Sequence, residues 1–388
     1  MSIDVATGLA RILKQEGVEW VSTFPVCKVN NALGREGVPM VMMRDDRYAV
    51  AVADAYSRIM AGSKNGVCTF QGGVNAAGLQ VAFAGMAQAF EDGSPVLCIT
   101  DGISVGETQN SQFDVTAALK TVSKWYGHLD KPERLPEFMR RAFTMLRTGR
   151  PGPVVIAIPD SDAQYDDTAD PYVPVKGSKY APDPSDVSTA VDLLLNSENP
   201  LIYAGEGVIY AGASAELKAF AELVNAPVVT TLKAKGAFPE DHPLFVGVRG
   251  DQVNHYLEKC DLLFAVGSSL SPGRFSHGIP NAVNKTIVHC TIDELHVNKT
   301  YPTAQAVIGD AKFALEALSA EVSTKTSGNG RPPGNVVSEV KSVRDSAMTK
   351  YREAMASTDK PINPYKVYAG SVSYTHLRAH ETEADLVC

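Results

Sequence analysis

Three short stretches hold residue types and spacings able to do chemistry. The first is Arg44-Asp45-Asp46-Arg47, where two carboxylates open an alanine-rich run that ends at Arg58. A carboxylate at a helix start is favoured by the partial positive charge there. An exposed aspartate at that point acts as a cap, contributing roughly 1 kcal/mol. The second is Gln71-Gly72-Gly73-Val74-Asn75-Ala76, a glycine-rich link between a strand-like and a helix-like run. Its glycines let backbone come close to a neighbouring element or a ligand. The third is the polar loop Asn110-Ser111-Gln112-Phe113-Asp114. Gly205-Glu206-Gly207 supplies two glycines of a dinucleotide fingerprint, but Tyr210 stands where the third belongs, which argues against classical dinucleotide binding. His242, next to Pro243, reads as a turn residue. The sequence shows no Ser-His-Asp set and no metal-ligand pattern, and no metal site is assigned.

The elements that must position these residues alternate along the chain. Helical periodicity runs from Val5 to Gln15 and stops at Gly17. Apolar strand-like runs follow at VEWVSTF, VPMVMMR, GVCTF, SPVLCIT and GPVVIAIP, with helical stretches at 47–61, 79–90 and 135–146 between them. A second series has strands at PLIYA, APVVTTL, DLLFAVGSS, KTIVHCTI and AQAVIGD, and helices beginning at Pro184, Ser214 and Ala311. Continuous apolar strands separated by helices predict parallel sheets covered on both faces. The expected fold is α/β: two consecutive parallel-sheet domains, 1–165 and 186–325, joined by an Asp- and Pro-rich linker at 166–185. The polar connector STKTSGNGRPPGN and a helix over 336–355 follow; 326–370 reads as linker and approach to a third domain, and 332–370 is expected to hang from the body. The tail at 371–388, SVSYTHLRAHETEADLVC, resembles translated sequencing-adapter read-through. It is expected to be non-native, to pack poorly and to carry no function, although His376 and His380 could face one another on a helix.

A length of 388 residues exceeds one ordinary core. Hydrophobic residues at 44% and charged residues at 21% suit a soluble globular protein. The net charge of −8, with no Lys- or Arg-rich run, argues against nucleic acid as a partner. The first helix is amphipathic, unlike a signal peptide, and no apolar run is long enough for a membrane span. The cytoplasm is the expected location. Of the six cysteines none forms a C-x-x-C pair, and Cys68, Cys98 and Cys290 sit in apolar runs, as buried reduced cysteines do.

Several of these segments carry a family resemblance. Thr148-Gly149-Arg150-Pro151-Gly152-Pro153-Val154-Val155 resembles the strand that closes the first domain of the thiamine-diphosphate-dependent enzymes that include acetolactate synthase. Arg44 to Arg58 is similar to the family's helix that opens on a glutamate and ends Gly-Tyr-Ala-Arg; Asp46 holds the glutamate's position. Gln71 to Asn75 lies where the family has a Gly-Pro-Gly loop ending in asparagine, and lacks the proline. Asn110 to Asp114 aligns with a Phe-Gln-Glu loop whose Phe and Gln are replaced here by Asn110 and Ser111, leaving Gln112 as a candidate for the glutamine's part. Asn199 to Gly207, Ala226 to Leu232, Asp241 to Leu244 and Asp261 to Gly267 follow the family's central domain.

The resemblance implies a carboligase that decarboxylates a 2-oxo acid such as pyruvate and transfers the two-carbon unit. A decarboxylase or lyase of the same family, or a non-catalytic nucleotide- or partner-binding member, are the other readings. It implies thiamine diphosphate with Mg2+, and a homodimer or homotetramer. Asp46 would be catalytic, acting on the aminopyrimidine ring so that the thiazolium carbon loses its proton, with Gly72, Gly73, Asn75 and Gln112 lining the cofactor. Some members bind flavin across the central domain, which makes Gly205, Thr231, Asp293 and Asp310 candidates for FAD. The Gly-Asp-Gly motif of the diphosphate-binding third domain does not occur in the sequence. The chain is therefore read as a fragment lacking that domain, and inactive alone.

Overall fold

Five-residue runs such as GVCTF and VVIAI have no polar face to give to water, so they fold as strands buried on both sides. The computed structural model describes residues 2–104, 106–110, 112–273 and 276–371, with the backbone alone at Lys350. His376, His380, Cys388 and the rest of the tail beyond 371 lie outside the described residues. The described residues form two compact units, divided between Tyr180 and Ala181.

The first unit runs β1 (Ser2–Asp4), α1 (Val5–Gln15), β2 (Val21–Thr23), α2 (Asn30–Arg35), β3 (Met40–Met42), α3 (Asp46–Ile59) and β4 (Gly66–Phe70). It continues with α4 (Ala77–Glu91), β5 (Val96–Asp101), α5 (Val115–Thr121), β6 (Trp125–His128), α6 (Leu135–Arg147), β7 (Val154–Ile158) and β8 (Gln164–Asp166). Six strands form a parallel sheet in the order β3-β2-β4-β5-β7-β6. Alternate residues leave the sheet on opposite faces. Val67, Leu97, Ile99, Val154, Ile156 and Ile158 pack with residues of α1, α2 and α6. Cys68, Phe70, Val96, Cys98 and Val155 pack with those of α3, α4 and α5. Outside this sheet, β8 pairs antiparallel with β1, Ile3 opposite Tyr165. This strand closes the first unit just where the expected linker at 166–185 begins, and Tyr165 is buried.

The second unit runs α7 (Pro184–Leu195), β9 (Pro200–Ala204), α8 (Gly207–Ala211), α9 (Ser214–Val224), β10 (Val228–Thr230), β11 (Phe245–Gly247) and α10 (Asp251–Lys259). Then come β12 (Leu262–Val266), β13 (Thr286–Thr291), β14 (Gln305–Ile308), α11 (Ala311–Lys325) and α12 (Val336–Met355). Its sheet, β11-β10-β9-β12-β13-β14, is again parallel.

The segment expected to hang from the body does not do so over α12. Val336, Val340 and Val343 recur at helical spacing and pack into the cluster that holds Val253, Tyr256 and Leu257 of α10. Val340 is 1% exposed. Arg344 Nη1 donates to the carbonyl of Phe245 at 3.0 Å. The apolar stripe outweighs the polar composition around it.

Candidate functional site

The site forms where α3 and α4 meet beyond the carboxyl ends of β4 and β5. Asp45 is extended, and its carboxylate accepts from the backbone N–H of Tyr48 at 2.9 Å, which starts α3. Asp45 is therefore the cap, not Asp46. Asp46, the first residue of the helix, is 4% exposed, so the expectation of an exposed capping aspartate gives way to a buried carboxylate. Its Oδ1 accepts from the N–H of Gln71 at 2.9 Å. Among the described residues no other residue's bond is made to its second oxygen. Burial pushes the Asp46 carboxyl above the ordinary aspartate range, opposed by the Gln71 N–H. At the far end of α3, Arg58 grips Asp54 with two bonds, at 2.8 and 2.9 Å, and reaches Asp92 at 2.8 Å.

The glycine-rich turn is tightly held. A Cβ on Gly72 would lie 2.2 Å from Thr100 Oγ1 and 2.5 Å from the carbonyl of Asp101. Gly73 has φ +73, a left-handed conformation that glycine adopts readily. Gly72 and Gly73 are buried, whereas Asn75 is exposed. The N–H of Asn110 donates to the carbonyl of Val74 at 2.9 Å, tying the polar loop to this turn. Gln112, on that loop, is exposed, and Ser111 lies outside the described residues. The turn thus brings together Asp46, Gly72 and Gly73; Asn75 and Gln112 stand at its solvent side.

One residue escapes the sequence reading. Asp101, at the carboxyl end of β5, is 6% exposed. Its Oδ1 accepts from the N–H of Lys28 at 3.0 Å, with Cys27 Sγ at 3.8 Å. Burial pushes its carboxyl up, opposed by the N–H groups of Lys28 and Gly72. Two buried carboxylates therefore hold backbone amides of separate loops: Asp46 takes Gln71 and Asp101 takes Lys28. The signal was an aspartate ending the strand-like run VLCITD, which is buried throughout. Cys27 beside it is buried, and burial raises its thiol well above the ordinary range, so it is a poor nucleophile. Cys27, Cys68, Cys98, Cys260 and Cys290 are all free and buried.

In the second unit the four flavin candidates follow strand ends. Gly205 comes after β9, Thr231 after β10, Asp293 after β13 and Asp310 after β14. Local roles occupy three of them. A Cβ on Gly205 would lie 2.3 Å from the carbonyl of Gly267. Asp293 accepts from the N–H of Leu295 and Asp310 from that of Lys312, both at 3.1 Å. Thr230 Oγ1, beside Thr231, is buried without a partner. His242 fastens a turn: its Nδ1 accepts from the N–H of Leu244 at 3.2 Å and its Nε2 lies 3.0 Å from Glu222. Among the described residues no group of three or more His, Cys, Asp or Glu side chains is placed to hold a metal ion. No helix there is long and apolar enough to cross a membrane.

Comparison with known proteins gives this geometry a family. Residues 3–121 match the thiamine pyrophosphate enzyme N-terminal TPP binding domain, and residues 187–318 match the thiamine pyrophosphate enzyme central domain. A probable acetolactate synthase large subunit of Methanocaldococcus jannaschii is 33% identical over 335 residues, covering 81% of this chain and 55% of that protein. Its counterpart in Methanococcus aeolicus is 30% identical over 386 residues, covering 93% and 63%. A glyoxylate carboligase of Escherichia coli O157:H7 is 31% identical over 341 residues, covering 83% and 56%. The chain belongs to the thiamine pyrophosphate enzymes, with their N-terminal and central domains. It spans less than two thirds of the length of these relatives.

Proposed function

We propose that the chain supplies the first two domains of a thiamine-diphosphate-dependent carboligase resembling acetolactate synthase. It would decarboxylate a 2-oxo acid such as pyruvate and pass the two-carbon unit to an acceptor. The observation that carries this reading is the Asp46 carboxylate, buried at the start of α3 with one oxygen fixed by Gln71 and the other open. That donor set fits the aminopyrimidine end of the cofactor, which needs a desolvated carboxyl at a ring nitrogen. When bound, thiamine diphosphate supplies a nucleophilic carbon and a sink for the electrons released with CO2. Asp46 would hold and exchange a proton at the ring nitrogen. Its raised pKa brings that exchange closer to neutral pH. Gln71 would fix the carboxyl's direction, while Gly72 and Gly73 would let backbone approach the ring, with Asn75 and Gln112 at the rim.

Aspartate is shorter than the family's glutamate by one carbon–carbon bond, about 1.5 Å. The engagement of Oδ1 by Gln71 also favours a second reading, a member that binds without catalysing. We further propose that Mg2+ and the diphosphate are held outside these two units, that the protein works as a homodimer or homotetramer, and that it acts in the cytoplasm. FAD is proposed for the carboxyl end of the second sheet, supported by the orphaned Thr230 hydroxyl.

The test is a chimera. The matching part of the M. jannaschii relative is replaced by this chain and supplied with pyruvate, thiamine diphosphate and Mg2+. Acetolactate supports the carboligase. Acetaldehyde in its place supports the decarboxylase. A folded chimera that binds cofactor but yields neither product and no proton exchange at the cofactor's C2 supports the binding member.

A further inference from the structure

The amino ends of β9, β10 and β12 border a cavity of about 310 Å³, at the opposite edge of the sheet from the flavin candidates. Its floor is apolar, with Pro200, Leu201 and Pro227 from the strand starts and Val336 from α12. Its polar wall comes from α10, α12 and the connector before α12: Tyr256, Lys259, Glu339 and Arg331.

The charged residues of the lining are Glu198, Lys259, Arg331 and Glu339, and only one of the two cations is ion-paired. Glu339 is paired with Lys259 at 2.5 Å and has His255 at 3.7 Å. Arg331 has no such partner. Its Nη2 donates to the carbonyls of Ser197 at 2.9 Å and Glu198 at 2.8 Å. Among the described residues its Nε and Nη1 donate to nothing, and no carboxylate forms an ion pair with it. Arg331 is half-buried, and burial lowers its pKa, partly offset by Asp261. Tyr256 is 5% exposed, and its hydroxyl is buried without a hydrogen-bond partner. A half-buried cation with open donors and an orphaned hydroxyl each carry a desolvation penalty that a ligand would relieve.

We propose that this cavity binds a small organic monoanion, a carboxylate on a flat apolar body, with its charged end on Arg331 and Tyr256 and its body on the Pro200–Pro227 floor. One unpaired cation matches one negative charge; a phosphate dianion would leave a charge uncompensated in a partly desolvated site. The volume lies at the lower end of the range for small-molecule sites. Arg331 also anchors the connector to the turn before β9, so occupation would couple to the seating of α12.

The experiment titrates the 388-residue chain with 2-naphthoate and, separately, with its neutral analogue 2-naphthamide, following ligand fluorescence. Saturable one-to-one binding of naphthoate is expected, with naphthamide weaker by at least roughly ten-fold. Arg331→Met should weaken naphthoate by at least roughly ten-fold, and Tyr256→Phe by roughly three- to ten-fold. Circular dichroism checks that each variant is folded. Should Arg331→Met fail to fold, the Tyr256→Phe titration and the naphthoate–naphthamide difference decide. The proposal is overturned by absence of saturable binding, by equal affinity for the two probes, or by folded variants that bind naphthoate as the wild type does.

Discussion

A Cβ added to Gly78 would stand 2.6 Å from Oδ1 of Asp46 and 2.6 Å from Cβ of Gln71. The candidate catalytic carboxylate is thus pinned between the start of α4 and the strand-to-helix turn, with no room for a methyl group on that side.

Gly78→Ala therefore forces the carboxylate or the turn to move. The expected cost is about 1–3 kcal/mol of stability, as for other overpacked sites. In the chimera, C2 proton exchange of the cofactor should fall on the order of 100-fold, because displacement of about 1 Å misaligns the acid. Urea unfolding and exchange followed by NMR measure the two effects. Undiminished exchange in a folded variant would show that Asp46 does not reach the cofactor.

Substitution of Asp46 itself separates chemistry from architecture. Asp46→Ala should abolish C2 exchange, while Asp46→Glu should preserve or raise it. Because Asp46 is buried and holds Gln71, the alanine variant should also lose about 1–3 kcal/mol from the amide left without an acceptor. Asp45→Ala, removing the cap, should cost about 1 kcal/mol and leave exchange near the wild-type level. The reverse pattern would move the chemistry to Asp45.

Acid titration of stability offers a check that needs no cofactor. Burial raises the Asp46 and Asp101 carboxyls in the folded chain. A raised folded value means that the native state holds the proton over more of the pH range than the unfolded state does. The associated stability is present below the unfolded value near ~3.9 and is lost as pH rises through the folded value. Asp46→Asn cannot ionise there, so its urea midpoint should gain on the wild type as pH is raised from about 3.5 to about 7. A constant difference between the two proteins would mean that Asp46 titrates alike folded and unfolded.

Much of this architecture was legible in the residues. Runs with no polar face, GVCTF and VVIAI, could only be strands between two helical layers, and the helices at Val5, Ser214 and Val336 began where periodicity began. Short elements escaped because their stability is tertiary. The strand Gln164–Asp166 is exposed, buried, exposed in a polar stretch, and exists because Ser2–Asp4 offers it a partner. Position along the chain could mark Asp46, but could not distinguish a surface cap from a buried carboxylate, since burial is set by Gly78, remote in sequence. Asp101 was hidden for the same reason: its partners Cys27 and Lys28 come from another loop, remote in sequence.

The seating of α12 is equally a matter of remote partners. Val340→Ala removes two buried methyl groups and should cost about 1.5–3 kcal/mol when the cavity it leaves is counted. Amide hydrogen exchange in α10, whose Val253 and Tyr256 share that cluster, should accelerate with it. Unchanged protection in α10 would show that α12 rests on the unit without supporting it.

Flavin has a direct readout. Titration of the chain with FAD is expected to give a bound yellow species, and Thr230→Val, which removes the orphaned hydroxyl, should weaken it by a factor of a few. Protein purified colourless, with no binding on titration, removes the flavin proposal.

The pairing of Ile3 with Tyr165 gives the first unit a property beyond stability. The start of its backbone lies beside residues 164–166, late in the unit, joined to them as a two-stranded clasp. A module closed in this way is topologically a ring: its ends could be joined and new ones opened in an exposed loop without redrawing the sheet. The clasp at residues 2–4 and 164–166 is thus a natural seam for recombination between relatives of differing chemistry.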